Sequence, residues 1–247
     1  MREWFENEAF WREMYPVMFD ERRFAAADEQ ARQIARLIRI RRGAVLDLCC
    51  GPGRHSVAFA KRGFRVTAVD RTRFLFNKAK RRARASRVKV EFVLSDMRDF
   101  ARPGAFDVAL SLFTSFGYFD DKRDDLRVLK NIFGNLKPRG VLVMELAGKE
   151  WLAKVFQATT STRLPDGALL VERHEIFDNW SRIRNEWILI KGNRARRYKF
   201  HHTIYSAQEL KDLLIRAGFI DVKLYGDFIG RPYGVDSTRL VAVARKG

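Results

Sequence analysis

Between residue 43 and about residue 146, short apolar runs alternate with segments whose apolar residues recur at helical spacing. The apolar runs predict five strands, over residues 44–49, 65–69, 89–94, 107–112 and 141–146. The segments between them predict helices over residues 56–62, 73–85 and 126–136. Strands that alternate with helices are typical of a parallel sheet covered on both faces, with right-handed crossovers. The pattern therefore predicts an α/β, doubly wound fold.

The C-terminal pattern adds one helix and two strands. The stretch SAQELKDLLIRAGF begins with Ser206 as a cap, carries Glu209 three residues later and ends near Gly218, which predicts a helix. Strand-like runs follow over residues 219–225 and 240–244. The complete prediction is a mostly parallel sheet of seven strands.

Two segments do not fit the alternation. In the first, up to about residue 40, aromatic residues at near-helical spacing predict a helix that Pro16 interrupts, followed by a second helix. In the second, from about 157 to 205, β-rich stretches separated by turn residues predict an antiparallel meander. We therefore expect a helical N-terminal segment (1–42), a sheet domain (43–156 and 206–247) and an inserted β subdomain (157–205) that covers a substrate or contacts a second copy in a homodimer.

Composition narrows the class of protein. Of the 247 residues, 47% are hydrophobic and 32% charged, which is typical of a folded chain. No apolar run approaches the ~20 residues of a membrane span, and the start MREWFENEAF lacks the apolar stretch of a secretion signal. We expect a cytoplasmic protein without a membrane partner. The adjacent Cys49 and Cys50 suit neither a structural disulfide nor a zinc cluster, so no metal site is predicted.

The charge balance leaves nucleic acid open as a partner. Lys and Arg number 48 against 30 acids, a net charge of +18, which attracts polyanions. The basic clusters are dispersed along the chain, around residues 36–42, 78–87 and 194–199. This dispersal favours a solvated basic surface over a dedicated RNA-binding platform, which also requires interleaved aromatic residues.

A candidate ligand site lies where the first predicted strands end. Gly51 and Gly53 follow the first strand and precede a helix, an arrangement that lets a ligand approach the backbone and the free amides of the helix N-terminus. Asp70 ends the second strand, 23 residues after Asp47, at the position where a carboxylate accepts ribose hydroxyls. Asp96 follows the third strand, where it can accept the amine of an adenine. The carboxyl ends of neighbouring parallel strands meet at one edge, so these acids are expected to converge.

An ordinary dinucleotide site is disfavoured, because the third position of the G-x-G-x-x-G spacing is Ser56. The motifs instead resemble the class I S-adenosylmethionine-dependent methyltransferases, from about Val45 to the C-terminus. They read VLDLCCGPGRHS, VTAVD, LSDMRDF, FDVALSLFTSFGYFD, LKPRGVLVMEL and YSAQELKDLLIRAGF. The resemblance implies a Rossmann-like fold and S-adenosylmethionine as the cofactor.

The resemblance also implies a set of cofactor contacts. Asp47, Gly51 and Gly53 would surround the methionine half, with Cys49 where the family usually has another glycine. Asp70 would hold the ribose, and the adjacent Arg71 would be a further cofactor contact. The remaining implied contacts are Asp96 and Met97 at the adenine, Leu112 and Phe113 near the sulfonium, and Tyr15 at the methionine carboxylate. For Tyr15, simple packing of an aromatic stripe is an equal alternative.

Methyl transfer needs a positioned nucleophile in a dry site, and a proton acceptor assists an oxygen or nitrogen nucleophile. The candidates for that role are Tyr118, Glu145, His174 and His201. For each histidine, a plain polar position on a half-exposed strand is favoured over a role in catalysis. His201 and His202 are neighbours on a predicted strand, so at most one of them can face the site.

The region after the fourth strand lacks two sequence motifs of the family, and their absence narrows the class of methyl acceptor. SLFTSFGYF stands where the family's base-amine methyltransferases carry an Asn- or Asp-Pro-Pro-aromatic sequence, and it contains no cysteine nucleophile for cytosine C5. The inserted meander resembles the cap of members that methylate small metabolites. The leading hypothesis is therefore methyl transfer to N or O of a small molecule. An RNA methyltransferase that uses the basic surface and a non-catalytic S-adenosylmethionine-binding module remain as alternatives.

Overall fold

A computed structural model describes residues 3–247; the first two residues of the predicted segment 1–42 lie outside it. Seven strands form one sheet in the order β10-β11-β5-β4-β1-β2-β3. All neighbouring strands are parallel, except that β11 runs antiparallel to both β5 and β10. The bounds are β1 Ala44–Leu48, β2 Arg65–Asp70, β3 Glu91–Leu94, β4 Phe106–Ser111, β5 Leu136–Leu146, β10 Ile220–Tyr225 and β11 Leu240–Arg245. The predicted doubly wound, seven-stranded sheet is confirmed.

Seven α-helices accompany the two sheets in the described part of the chain. They are α1 Glu8–Met18, α2 Glu21–Leu37, α3 Arg54–Lys61, α4 Arg73–Ala85, α5 Lys122–Asn135, α6 Lys149–Val155 and α7 Ala207–Arg216. Helix α5 begins four residues before the predicted start, because the Asp121 side chain accepts a hydrogen bond from the Arg123 amide and caps it. The capping box predicted at Ser206 and Glu209 is present at the start of α7.

The prediction that Pro16 interrupts the first helix is wrong. Helix α1 continues through Pro16 to Met18. The proline lies in the last turn, so its missing amide removes one hydrogen bond near an end that stops anyway. The Phe19 amide then bonds the Tyr15 carbonyl at 2.9 Å and closes the helix.

The inserted region forms a second sheet with four antiparallel strands in sequence order. These are β6 Thr159–Arg163, β7 Leu169–Phe177, β8 Arg182–Lys191 and β9 Arg194–Thr203. The antiparallel meander is confirmed, with β6 as an edge strand that the apolar pattern missed. Its sequence TTSTR contains no apolar residue and pairs with β7 through its backbone.

Three apolar clusters hold these elements together. The first packs α5 and α7 on one face of the large sheet, and the second packs α2 and α3 on the other face. Neighbouring strand residues such as Val45 and Leu46 serve opposite clusters, as the alternation along a strand requires. The third cluster joins the N-terminal segment to the second sheet through Phe10, Met14 and Phe200. Within residues 3–247, the helices are too short or too polar to cross a membrane.

Candidate active site

One cleft lies at the carboxyl ends of β1, β2, β3 and β4, and it measures about 1040 Å³ including its open mouth. This is where open α/β sheets bind ligands. Its walls contain most of the predicted cofactor contacts, together with aromatic residues of the N-terminal segment and the loop after β4. The predicted residues that line it are Asp47, Cys49, Gly51, Asp70, Arg71, Asp96, Met97, Leu112, Phe113 and Tyr118.

The loop between β1 and α3 turns through three left-handed residues. Cys49 has φ 60°, Gly51 has φ 54° and Gly53 has φ 77°. The Cys49 position therefore suits glycine for a backbone reason. At Gly53, which does not line the cleft, an added Cβ would lie 2.9 Å from the Cβ of Ala79. The close neighbour that requires glycine at position 53 is thus helix α4.

Asp47 is buried below this loop and accepts a hydrogen bond from the Ser56 hydroxyl. Burial raises the pKa of Asp47 to about 6, although the Ser56 hydrogen bond opposes the shift. The acid inside the first strand thus ties the strand end to the first turn of α3. It also supplies a carboxylate to the wall of the cleft.

The two carboxylate oxygens of Asp70 accept hydrogen bonds from two backbone amides. Gly51 donates to Oδ2 at 2.8 Å and Thr72 donates to Oδ1 at 2.7 Å. Burial raises the pKa of this carboxyl, and the two amides counter the effect. A carboxylate oxygen accepts more than one hydrogen bond, so each oxygen retains acceptor capacity. The position and chemistry of Asp70 therefore fit a group that presents two hydroxyls.

Asp96 is already engaged by two arginines. It accepts from the Arg98 amide at 2.8 Å, from Arg98 Nε at 3.0 Å and from Arg98 Nη2 at 2.9 Å, and it also pairs with Arg71. Burial alone would raise the pKa of Asp96, but these arginine contacts hold it below its usual value. Sequence reasoning did not include Arg98, although it lies only two residues beyond the acid. A ligand amine at Asp96 has to share the carboxylate with these guanidinium groups.

The loop after β4 is strained and firmly held. Phe113 and Thr114 both have positive φ, at 62° and 53°. The Phe113 amide donates to Glu145 at 2.9 Å, and Glu145 pairs in turn with Arg239. The Arg54 guanidinium lies 4.7 Å from the centre of the Phe113 ring. Glu145 is therefore turned towards the loop backbone and does not line the cleft.

Of the four predicted proton acceptors, only Tyr118 lines the cleft. Burial raises the pKa of Tyr118, so its hydroxyl is a donor at neutral pH. His174 bonds Asn185 at 2.8 Å and His201 bonds Asp120 at 2.7 Å, both on the second sheet away from the cleft wall. The neighbouring His202 instead packs on Tyr118, with ring centres 4.9 Å apart, and burial lowers its pKa to about 4.

The N-terminal segment contributes to the cleft through residues other than Tyr15. The Tyr15 ring packs 5.8 Å from Phe74 and lies beneath Lys78, at 4.8 Å, and it is absent from the cleft wall. The N-terminal side chains that line the cleft are Trp4, Phe5, Trp11, Met18 and Phe19. The density of aromatic residues over the first 19 positions was the sequence signal for them. Among residues 3–247, His, Cys, Asp and Glu side chains form no group suited to a metal ion.

Sequence comparisons relate this chain to known methyltransferases. Residues 45–140 match the family model of a methyltransferase domain. The chain is 27% identical over 210 residues to the putative methyltransferase YqeM of Bacillus subtilis, covering 83% of this chain and 85% of that protein. It is 25% identical over 207 residues to a glycine/sarcosine N-methyltransferase of Aphanothece halophytica, covering 82% and 76%.

Solved structures extend the likeness to the whole fold. The CcbJ methyltransferase of Streptomyces caelestis superposes with a TM-score of 0.76 at 20% identity, over 90% of both chains. The sugar N-methyltransferase KedS8 of Streptoalloteichus superposes with a TM-score of 0.65 at 21% identity, over 90% of this chain and 87% of that one. At these identities the superpositions establish a common fold.

Proposed function

This chain is a class I S-adenosylmethionine-dependent methyltransferase, and we propose that it transfers the methyl group to a nitrogen or oxygen atom of a small-molecule acceptor. The observation that carries the proposal is the composition of the cleft wall. Aromatic side chains of the N-terminal segment and of the loop after β4 line the cleft together with the acids. A walled, aromatic pocket suits a compact acceptor.

Relatives with small-molecule names support the same choice. They include glycine/sarcosine N-methyltransferases and a ubiquinone biosynthesis O-methyltransferase among the curated proteins, and a sugar N-methyltransferase among the solved structures. Their acceptors differ in chemistry. These names support a small acceptor and leave the acceptor atom open between N and O.

The residues present fit S-adenosylmethionine, which supplies a methyl group activated on a sulfonium when it is bound. We propose that Asp70 receives the ribose hydroxyls with its remaining acceptor capacity. Asp47, Cys49 and Gly51 would lie along the methionine half, with Leu112 and Phe113 near the sulfonium. We propose that Asp96 and Met97 contact the adenine, and that the Arg71 side chain, which pairs with Asp96, moves when the ligand binds.

The chain's own contribution to the reaction is positioning and exclusion of water. Trp4, Trp11 and Phe119 make part of the cleft wall apolar, which keeps a nucleophile unsolvated beside the reacting carbon. Because burial keeps Tyr118 protonated, we propose that its hydroxyl donates a hydrogen bond that orients the acceptor. An amine that arrives uncharged needs no protein base.

Labelled methyl transfer tests the acceptor class. The wild-type protein is incubated with radiolabelled S-adenosylmethionine and, separately, a metabolite extract or total RNA. We expect label in the small-molecule fraction. Label confined to RNA would replace the proposal with RNA methylation, and cofactor binding without turnover on either pool would favour a non-catalytic module.

Asp70 variants test the cofactor contact. Removing the carboxylate with Asp70→Ala eliminates the ribose acceptor and leaves two buried amides unpaired, so we expect S-adenosylmethionine affinity to fall at least about tenfold. Asp70→Asn retains one acceptor and separates loss of binding from loss of folding. Asp99→Ala, at an exposed acid paired only with Arg127 among the described residues, is the matched control. Calorimetric affinity that is unchanged in both Asp70 variants would refute the role.

A further inference from the structure

Helix α4 and the loop after it concentrate positive charge. Eight lysine and arginine residues, and not a single acid, lie between Arg73 and Lys89. For comparison, the net charge of the whole chain is +18. The sequence RFLFNKAKRRARASRVK therefore carries a large share of the excess within 17 consecutive residues.

None of these eight cations has an acidic partner within the described chain. Three of them stack on aromatic rings: Lys78 on Tyr15, Lys80 on Phe76 and Arg82 on Phe24. The other five, Arg73, Arg81, Arg84, Arg87 and Lys89, are exposed. Lysine and arginine three or four positions apart repel one another along a helix, by about 0.2–0.5 kcal/mol per pair. This arrangement is unfavourable for the isolated protein and becomes favourable against a polyanion.

The second basic segment differs. Within residues 194–199, Arg196 pairs with Glu13, while Arg197 and Lys199 both pair with Glu186. Its cations are thus largely neutralised within the fold. Of the three basic stretches in the sequence, those at residues 36–42 and on α4 have no carboxylate partners in the described chain, and the α4 stretch is the larger of the two.

The exposed side of α4 has the shape of a linear contact. Arg73, Asn77, Arg81 and Arg84 are exposed at positions i, i+4, i+8 and i+11, which places them along one helix face. This row, together with Arg87 and Lys89, is called the basic α4 surface below. The row spans about 16 Å, the length of about five phosphates along one strand of a duplex. Arg12 and Glu8 of α1 border the same groove, and because they pair with each other at 3.7 Å they add no net charge to it.

The apolar side of α4 decides between two kinds of anionic partner. A helix that lies on a membrane buries an apolar face in the lipid. In α4 the apolar stripe of Leu75, Phe76, Ala79 and Ala83 is already buried in this protein. The helix can offer charge but no apolar face. We infer that the basic α4 surface binds the phosphate backbone of a nucleic acid.

This site is distinct from the cleft, since none of its residues lines the cleft wall. Binding of nucleic acid at α4 therefore neither requires nor excludes methyl transfer to a small molecule. Backbone contacts carry no sequence information by themselves, so affinity is expected to depend on salt and little on sequence.

The test compares two triple variants that remove equal charge. Arg73, Arg81 and Arg84 are replaced by Gln in one. In the control, Lys122, Lys130 and Arg216, which are exposed on α5 and α7 across the sheet, are replaced by Gln. Fluorescence anisotropy measures binding of a labelled RNA of mixed sequence, single-stranded and duplex, with DNA of the same sequences, from about 50 to about 200 mM salt.

We expect the α4 variant to lose on the order of tenfold or more in affinity at the lower salt concentration. The slope of log affinity against log salt should fall by about 2 to 3, at about 0.7–0.9 per lost phosphate contact. The control should change by less than about threefold. S-adenosylmethionine affinity and thermal melting should stay unchanged in both, because every substituted residue is exposed and away from the cleft.

Three results would overturn the inference. One is a wild-type protein that fails to bind nucleic acid at the lower salt concentration. Another is an equal loss in both variants, which would indicate diffuse attraction by the net charge. The third is binding to vesicles of phosphatidylcholine and phosphatidylserine without binding to nucleic acid, which would identify the partner as a membrane surface.

Discussion

Cys49 occupies a backbone conformation that favours glycine. Its φ of 60° lies in the left-handed region, where a residue other than glycine costs about 1–2 kcal/mol. The thiol is also non-reactive in this setting, because burial and the nearby acids raise its pKa. Cysteine at this position therefore carries backbone strain without an evident gain in chemistry.

Substitution at position 49 tests this strain. We expect Cys49→Gly to raise the free energy of unfolding by up to about 1 kcal/mol, since relief of strain exceeds the added freedom of the unfolded chain. Cys49→Val should lower it by more than about 2 kcal/mol, because a branched Cβ is poorly tolerated at positive φ. Urea unfolding measures both. Equal stability of the two variants would contradict a left-handed conformation at this residue.

At the scale of elements, a buried histidine joins α2 to α3. His55 Nε2 lies 2.9 Å from Gln30 Oε1. Burial, reinforced by the neighbouring Arg54 charge, lowers the pKa of His55 from 6.5 to about 3. The folded protein therefore holds this ring neutral. Stability from this group is complete above pH 6.5 and is lost as pH falls towards 3, because the unfolded chain binds the proton first.

Replacing this histidine should make stability less sensitive to acid. Between pH 6.5 and 5, the wild-type protein should lose about 2 kcal/mol more than His55→Gln, at about 1.4 kcal/mol per pH unit. Asp47 and Asp125, whose pKa values burial raises to about 6, act in the opposite direction but are present in both proteins. Urea unfolding at several pH values measures the difference. Parallel profiles would refute the burial of a neutral His55.

At the scale of the whole molecule, an aromatic cluster connects the N-terminal segment to the second sheet. Phe10 is its central residue: its ring centre lies 5.3 Å from Trp4, 5.3 Å from Tyr198 and 5.8 Å from Phe200. Trp4 and its neighbour Trp11 also line the cleft. Packing at this junction therefore sets the position of one wall of the active site.

Removing the Phe10 ring should destabilise the junction between the N-terminal segment and the second sheet more than it destabilises the large sheet. We expect Phe10→Ala to cost about 3–5 kcal/mol and to speed hydrogen exchange in α1, β8 and β9, with β1 and β4 little affected. The matched control is Phe133→Ala, which removes a ring packed 5.3 Å from Phe219 on the far side of the sheet. A uniform rise in exchange for Phe10→Ala would mean that the second sheet is not a separate cooperative unit.

The order of elements and the place of the cleft followed from sequence pattern, because both depend on local periodicity and on the chain direction of parallel strands. Apolar runs located the strands, and acids at strand ends located the site. Features with a weak local signal were missed. The polar strand Thr159–Arg163 is held by backbone pairing alone, and Pro16 in a last turn has no power to end a helix.

The sequence by itself determined that Asp47, Asp70 and Asp96 gather at one edge of a parallel sheet, since strand ends in such a sheet converge whatever the loops do. Only the tertiary structure decided which partner each polar side chain contacts. It assigned Glu145 to the Phe113 amide, occupied Asp96 with Arg71 and Arg98, and left the α4 cations without acids while pairing those of β9. These outcomes depend on partners far apart in the chain, and periodicity carries no information about which distant side chains come into contact.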